Sequence, residues 1–301
     1  MTSAIFAKIV LATDLSPSWD EIVACGGELK RLGSSLAILT HVITANRFTA
    51  PHEALRDQAA PRLSAQRRQL EAQDLTVLIE TPVGLPASSL NEVAQKYDAS
   101  LIILGSHGKS RWREGVLGSF SSAVLHNAQF PTLVFPVRVL TDGQPASCLW
   151  RCTDLLRHLL LPTDFSAIAA EALCYLELLA PKGVSRVTLL HALKPPSLDF
   201  WGFEGPEGAQ EAAYNSLEVL RGRLEAAGVS QVHTRLAAGH PVAVILDFLQ
   251  EADVSLVVLG TQGRGFFEEI FLGSVAHNVS RVATCPVLLI PPLTRERQGG
   301  S

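Results

Sequence analysis

The sequence is poor in charged and aromatic residues and lacks any long hydrophobic run. Charged residues make up 18% of the 301 residues and hydrophobic residues 47%, which excludes a disordered or low-complexity chain. Acidic residues outnumber basic ones by 29 to 25, so a nucleic-acid partner is not expected. No apolar run approaches the ~20 residues that cross a bilayer. The first apolar run, residues 5–12, leads directly into Asp14 and is typical of a strand rather than a signal peptide.

Cysteine is also scarce. The five cysteines are too few and too scattered for a disulfide framework: Cys25, Cys148, Cys152, Cys174 and Cys285. The close pair Cys148 and Cys152 has only His158 nearby, which is too few ligands for a zinc site. We therefore expect free thiols and a cytoplasmic location, where cysteines stay reduced.

An internal repeat is the main feature that the sequence does contain. Residues 10–16 match residues 160–166 at an offset of 150, and residues 98–105 match residues 253–260 at an offset of 155. Two copies of one domain therefore account for most of the chain. The predicted organisation is a first domain over residues 1–140, a linker over 141–156, a second domain over 157–293 and a polar tail over 294–301.

Each repeat alternates short apolar runs with stripes of helical period. The predicted strands are residues 5–12, 36–43, 75–80, 101–104 and 132–137, then 159–162, 187–193, 231–236, 256–259 and 287–290. A stripe over residues 22–32 and a similar one over residues 168–179 predict helices between strands. Strands separated by helices need crossover connections, which are right-handed and produce parallel sheets. The prediction is two tandem Rossmann-like α/β domains, each with a five-stranded parallel sheet covered by helices on both faces.

The residues that follow the predicted strands form the candidate site. In an open parallel sheet, ligands bind beyond the carboxyl ends of the strands, where the strand order reverses. Asp14 and Asp164 follow the first strand of each repeat, and a G-x2-G-x9-G-S motif follows the fourth. Glycines let a phosphate approach the backbone, and a helix start offers N–H groups to it. An alternative is that the glycines are ordinary turns and that Asp14 and Asp164 are N-caps of helices beginning at Pro17 and Ala167.

Together these residues resemble the universal stress protein family, as a tandem two-domain member. The resemblance is carried by residues 162–166, 190–192, 260–263, 273–276 and 285–290, and in weaker form by residues 12–16, 41–42 and 105–108. It implies an adenine nucleotide alpha hydrolase-like fold, an ATP-binding subclass, and dimers paired through the last strand. It also implies that Asp14 and Val42 hold the adenosine in the first repeat, and Asp164 and Ala192 in the second.

The candidate nucleotide-binding residues include the neighbours of these positions. In the first repeat they are Ala12, Thr13, Asp14, Val42, Gly105, His107, Gly108, Lys109, Gly118, Ser119, Phe120 and Ser121. In the second they are Pro162, Thr163, Asp164, Ala192, Gly260, Gln262, Gly263, Arg264, Gly273, Ser274, Val275 and Ala276. The implied cofactor is ATP, with or without Mg²⁺. The expected partners are an adenine nucleotide, the other repeat of the chain, a second copy of the chain and an unidentified protein.

Two other functions stay open at this point. A slow ATP-hydrolysing enzyme would use His107, but Gln262 stands at the matching position and cannot move protons. A scaffold for another metabolite or a protein would use the aromatic residues Phe200, Trp201 and Phe203 as a flap. Binding without turnover is the favoured function.

Several other residues have expected roles that are structural. His41 and His191 recur after the second strand, which favours a structural role, whereas His126 and His277 do not match and are expected to be solvated helix residues. Phe120 stands where the second repeat has Val275, and it would crowd the phosphates if its ring pointed inward.

Overall fold

Each repeat folds into five main strands with helices between them. The computed structural model describes residues 5–44, 51–106, 117–138, 147–148, 154–193, 206–263 and 272–292. The strands of the first repeat are β1 (Lys8–Ala12), β2 (Leu36–Thr40), β3 (Thr76–Glu80), β4 (Leu101–Gly105) and β5 (Thr132–Phe135). Its helices are α1 (Pro17–Ala24), α2 (Gly26–Arg31), α3 (His52–Glu71), α4 (Pro86–Tyr97) and α5 (Ser119–His126).

The second repeat follows a short two-stranded hairpin, β6 (Val137–Arg138) and β7 (Ser147–Cys148). Its strands are β8 (His158–Pro162), β9 (Arg186–Leu193), β10 (Gln231–Ala238), β11 (Leu256–Gly260) and β12 (Val287–Ile290). Its helices are α6 (Ala167–Leu179), α7 (Pro206–Ala226), α8 (Pro241–Glu251) and α9 (Ser274–Val282), with a 3-10 turn at Ala180–Lys182. Within the described residues, no helix combines the length and the apolarity needed to cross a membrane.

The ten main strands join in one continuous sheet. Its order is β10-β9-β8-β11-β12-β5-β4-β1-β2-β3, and all pairs within a repeat are parallel. The two halves meet through β12 and β5, which pair antiparallel with Leu288 opposite Leu133. The predicted five-stranded parallel sheets and the pairing of the repeats through their last strands are therefore confirmed. The two sheets together bury the edge that each last strand would otherwise expose.

Helices cover both faces of the sheet, so the central strands are buried on both sides. Every residue of β4 and β8 is buried, which is why these strands read as continuous apolar runs rather than alternating ones. One buried cluster crosses between the repeats, where Phe6 stacks on Tyr175 with ring centroids 6.1 Å apart. The hydrophobic core therefore joins the two domains.

The first predicted helix is interrupted, although the stripe over residues 22–32 suggested one continuous element. α1 and α2 are separated at Cys25 because a side chain from the end of α3 inserts there. Gly27 N–H donates to Gln73 Oε1 at 2.8 Å, and a Cβ on Gly26 would lie 3.1 Å from the same amide. An inserted acceptor of this kind breaks the helical ladder. The second repeat has no such glycines, and α6 is continuous.

The expectation that all cysteines are free thiols is wrong for Cys25, which is disulfide-bonded. Its side chain is buried at the junction of α1 and α2, and α1 packs against β7. This packing places the segment that follows the first repeat beside the junction. Cys174 and Cys285 are free, and burial raises the pKa of the Cys285 thiol to about 12.

Candidate functional site

The candidate residues lie at the carboxyl edge of the sheet, where the strand order reverses. From β1 the chain continues to β2 on one side, while β4 lies on the other side, and the same reversal separates β8 from β11. Asp14 follows β1 by two residues and Gly105 ends β4, so the first-strand turn and the glycine motif converge on this point. This is the place where ligands bind in doubly wound sheets.

The turn after the first strand is the same in both repeats. Leu15 N–H donates to Thr13 Oγ1 at 3.0 Å, and Ser16 N–H donates to Asp14 Oδ1 at 2.9 Å. Leu15 has a φ of +62°, and its counterpart Phe165 has a φ of +59°. Such values are rare for large side chains, and the hydrogen bonds on both sides hold the backbone there.

The alternative in which the two aspartates cap the following helices is wrong. The N-cap residues of α1 and α6 are Ser16 and Ser166, and Ser166 Oγ accepts from Ala169 N–H at 3.2 Å. Asp14 and Asp164 instead use Oδ1 to hold the turn that precedes the cap. In Asp14 the second carboxylate oxygen, Oδ2, has no hydrogen-bond partner among the described residues.

The two histidines after the second strand hold this turn in place. His41 Nδ1 lies 2.9 Å from Thr13 O, and His191 Nδ1 lies 2.7 Å from Thr163 O. Because a carbonyl oxygen only accepts, the proton must be on Nδ1 in both rings. The expected structural role of these histidines is confirmed, since each ties the end of the second strand to the end of the first.

Asp14 Oδ2 is buried and has no hydrogen-bond partner among the described residues. A buried carboxylate oxygen without a donor is unfavourable, and most buried polar atoms in proteins are paired. The arrangement therefore suits a donor that comes from outside the chain.

The backbone of Val42 presents a donor and an acceptor on the same side. The N–H groups of His41 and Ile43 donate to the carbonyls of Glu80 and Pro82, so these residues face β3. Val42, between them, faces the opposite way, beyond the end of β1. Neither its N–H nor its C=O takes part in a backbone hydrogen bond within the described chain. The predicted second strand, residues 36–43, in fact ends at Thr40, with only a bridge at Ile43.

The last part of the glycine motif is brought back to the strand end by one backbone hydrogen bond. Gly118 N–H donates to Ser106 O at 2.9 Å, and Gly273 N–H donates to Thr261 O at 2.6 Å. The helices α5 and α9 begin immediately afterwards. Their N-cap residues are these glycines, which have no side chain that could accept a hydrogen bond from the first turn. The first-turn N–H groups of both helices are therefore available to an anion.

The glycines of the second repeat are required by close contacts. A Cβ on Gly260 would lie 2.5 Å from Ile168 Cγ2, and one on Gly273 would lie 3.1 Å from Thr261 O. A Cβ on Gly263 would lie 2.8 Å from Asp164 Oδ2. The Asp164 carboxylate and the glycine motif therefore lie close together in this repeat.

Some of the predicted residues are buried beside the site and hold its elements together. Ala12 and Ala276 are buried, and Ser121 Oγ donates to Gly105 O at 2.6 Å, which fastens α5 to β4. Phe120 and Val275 are half-buried against the same apolar cluster. Of the remaining candidates, Pro162 and Thr163 are buried, Ala192 and Gln262 are half-buried, and Ser119 and Ser274 are exposed. His107, Gly108, Lys109, Arg264, Phe200, Trp201 and Phe203 lie outside the described residues.

The sequence did not indicate a series of hydrogen-bonded polar side chains that begins at Thr13, the residue before Asp14. Thr13 Oγ1 donates to Gln66 Oε1 at 3.0 Å, and Gln66 Nε2 donates to Asp20 Oδ1 at 2.8 Å. Arg62 Nη2 then donates to Asp20 Oδ2 at 2.9 Å, which connects the chain to the surface. The sequence feature that could have indicated it is Gln66, a polar residue that lies between Leu63 and Leu70 on the buried face of α3.

His126 and His277 are not independent solvated residues, as the sequence suggested. Their ring centroids are 6.1 Å apart, and both residues are half-buried. Burial and the nearby charges of His126 and Arg281 lower the pKa of His277. The antiparallel pairing of β5 with β12 brings α5 and α9 together, which the sequence of either repeat alone could not indicate.

Comparison with known proteins gives one family for both repeats. The sequence model of the universal stress protein family matches residues 6–136 and 156–291. A universal stress protein of Bacillus subtilis, YxiE, is 30% identical over 147 residues, which cover 45% of this chain and 99% of that protein. A universal stress protein of Mycolicibacterium smegmatis is 29% identical over 227 residues, which cover 74% of this chain and 71% of that protein.

A solved structure has the same overall fold. The crystal structure of a universal stress protein from Archaeoglobus fulgidus superposes with a TM-score of 0.74. It covers 97% of this chain and 99% of that one, at 24% sequence identity. The likeness extends over both repeats and supports the two-domain Rossmann-like architecture.

Proposed function

Because the chain belongs to the universal stress protein family, as two such domains in tandem, we propose that it binds ATP at its strand ends. The output of binding would be a change in conformation or in the choice of a protein partner during stress. ATP turnover is not part of the proposed function.

The unpaired buried oxygen of Asp14 is the observation that carries this proposal. A ribose hydroxyl or an exocyclic amine would donate to it, and a charge-assisted hydrogen bond of this kind is stronger than a neutral one. The backbone N–H and C=O of Val42 offer a donor and an acceptor side by side. The adenine edge carries the complementary acceptor and donor.

The start of α5 is the part of the site that suits the phosphates. The first turn of α5, which begins at Ser119, presents uncapped N–H groups and the positive end of the helix dipole. Among the described residues, no group of three or more His, Cys, Asp or Glu side chains could hold a metal ion. Mg²⁺ would accordingly be held mainly by the phosphates of the nucleotide.

A charge placed at the helix start tests the phosphate part of the site. Ser119 is exposed at the first position of α5, where a carboxylate favours the helix but repels phosphate. Isothermal titration should show that Ser119→Asp weakens ATP binding at least tenfold, weakens AMP binding less, and leaves the melting temperature unchanged or higher. Ser88→Asp, in the exposed first turn of α4, is the matched control and should bind ATP as the wild type does.

Two results would count against the proposed function. No binding of ATP by the wild-type protein would exclude the nucleotide site, and equal binding by Ser119→Asp and wild type would exclude α5 as its phosphate end. A steady-state assay of ADP release addresses turnover in the same samples. Multiple turnovers per minute would make the protein an enzyme.

A further inference from the structure

Three basic side chains lie together where α5 of the first repeat meets α9 of the second. The rings of His126, at the end of α5, and His277, in α9, have centroids 6.1 Å apart. Arg281 follows His277 by four residues and therefore lies on the same face of α9. All three residues are half-buried, so water solvates their charges only in part. We call these three residues the interface cluster.

Arg281 contributes a buried donor that has no acceptor. Its Nε atom is buried and has no hydrogen-bond partner among the described residues. A guanidinium keeps its charge at physiological pH, so this N–H cannot be relieved by loss of a proton. An unpaired donor beside a fixed positive charge suits an oxyanion, which offers acceptor oxygens and negative charge at once.

The two helices supply no negative charge of their own, since neither α5 nor α9 contains an aspartate or a glutamate. The titratable groups on the helices packed against them are Glu92, Lys96 and Tyr97 on α4 and Asp247 and Glu251 on α8. Of the three acids, Glu92 and Asp247 are exposed, and Glu251 forms an ion pair with Arg235. A bound anion would therefore be the source of a balancing charge.

The titration of His277 fits the same arrangement. Burial lowers its pKa, and among the described residues the charges that also lower the pKa are those of His126 and Arg281. A bound anion would oppose this shift, because it stabilises the protonated ring. Binding of the anion and protonation of His277 should therefore strengthen each other.

A metal ion suits the interface cluster less well. Two imidazoles could ligate a divalent cation, but the described residues contain no group of three or more His, Cys, Asp or Glu side chains that could hold one. The fixed charge of Arg281 would also repel a cation.

We propose that the interface cluster binds a small oxyanion of the sulfate or phosphate type between the two repeats. Arg281 Nε donates to the anion, and the two histidines add positive charge when they are protonated. The anion then links α5 to α9 across the junction that β5 and β12 form. These residues are not those of the candidate nucleotide site, and the inference does not depend on ATP binding.

Sulfate is the probe, because its charge stays constant over the range in which histidines titrate. The full-length protein is titrated with sulfate at an ionic strength held constant with chloride, and NMR records the imidazole nitrogens. The signals of His126 and His277 should shift and saturate, while that of His233, which is exposed on β10, should not. Binding should be tighter at about pH 6 than at about pH 8, and bound sulfate should raise the pKa of His277.

Arg281→Gln removes both the charge and the Nε donor and should weaken sulfate binding at least tenfold. Arg281→Lys keeps the charge and should lose less. Arg68→Gln, at an exposed arginine of α3, is the matched control and should bind sulfate as the wild type does. Circular dichroism checks that each variant is folded.

Three results would overturn the inference. The first is the absence of a saturable shift at His277, and the second is equal sulfate binding by Arg281→Gln and wild type. The third is displacement of sulfate from His277 by saturating ATP, which would make the interface cluster part of the nucleotide site. Failure of ATP to bind would count against the proposed function and leave this inference standing.

Discussion

The first repeat supports its strand-end turn with polar side chains, whereas the second repeat has apolar residues at the corresponding positions. In the first repeat Gln66 accepts from the Thr13 hydroxyl and donates to Asp20, and Leu220 and Ala170 occupy the positions of Gln66 and Asp20 in the second. Both repeats keep the histidine that donates to the threonine carbonyl. The backbone of the turn is therefore what both repeats preserve, and its side-chain support is free to differ.

A second difference between the repeats concerns charge. Lys96 Nζ lies 2.6 Å from Glu80 Oε1 in the first repeat, and Arg235 Nη2 lies 2.9 Å from Glu251 Oε2 in the second. The positions correspond, but the signs are exchanged between the strand and the helix. What matters at this contact between the third strand of each repeat and the helix that follows it is the attraction itself, not which element carries which charge.

The pairing of the repeats gives the largest expected effect. Leu133 and Leu288 lie opposite each other across β5 and β12, and both are buried. Leu133→Ala and Leu288→Ala should each lower the free energy of unfolding by about 2–5 kcal/mol, because each leaves a cavity at the centre of the sheet. Urea denaturation followed by circular dichroism measures both.

The two losses should be similar, and the double variant should lose less than their sum because the residues are in contact. Leu85→Ala, at a side chain that is 74% exposed, is the control and should change little. If one of the two variants lost stability as predicted and the other kept the wild-type free energy of unfolding, the symmetric packing of the two repeats would be contradicted.

The polar support of the first repeat gives an intermediate effect. Gln66→Leu, which installs the residue of the second repeat, leaves the Thr13 hydroxyl and Asp20 Oδ1 without this partner. We expect a loss of about 1–3 kcal/mol in the free energy of unfolding, since buried polar groups would be left unpaired. Gln58→Leu, exposed on the same helix, should be close to neutral. Equal stability of the two variants would show that the polar chain is dispensable.

The exchanged ion pair gives the smallest effect. Glu80→Arg alone places two cations together and should reduce stability slightly, and adding Lys96→Glu should restore most of the loss. Burial acts to raise the pKa of Glu80, but hydrogen bonds from Lys96 and Tyr97 and the charge of Lys96 outweigh it and lower the pKa. The stabilisation is therefore present at neutral pH and lost as the pH falls through the lowered pKa. If the double variant is no more stable than Glu80→Arg, the two signs are not interchangeable here.

The sequence was sufficient for the fold because the strands are buried on both faces and read as apolar runs. Its ten predicted strands all correspond to observed ones, and the site residues that follow them lie at one edge of the sheet. The interruption at Cys25 was not predicted, because it depends on a contact with Gln73, a residue distant in sequence. The polar chain through Gln66 and the meeting of His126 with His277 depend in the same way on how the helices dock.

The difference between the two candidate sites could not be predicted either. Asp14 and Asp164 occupy matching turns, and the glycine motifs that follow them have identical internal spacing, so the two sites are equivalent at this level of the sequence. In the described structure the first site is marked by the unpaired oxygen of Asp14 and by the polar chain through Gln66. Such contacts are set by loop conformation, which residue type alone does not determine.

A crystal structure of the full chain grown with Mg²⁺-ATP tests the central claim most directly. The account predicts a nucleotide in the first repeat, with the adenine against the backbone of Val42, a donor of the nucleoside on Asp14 Oδ2 and the phosphates at the start of α5. A nucleotide in the second repeat alone, or none at saturating concentration, would contradict the account.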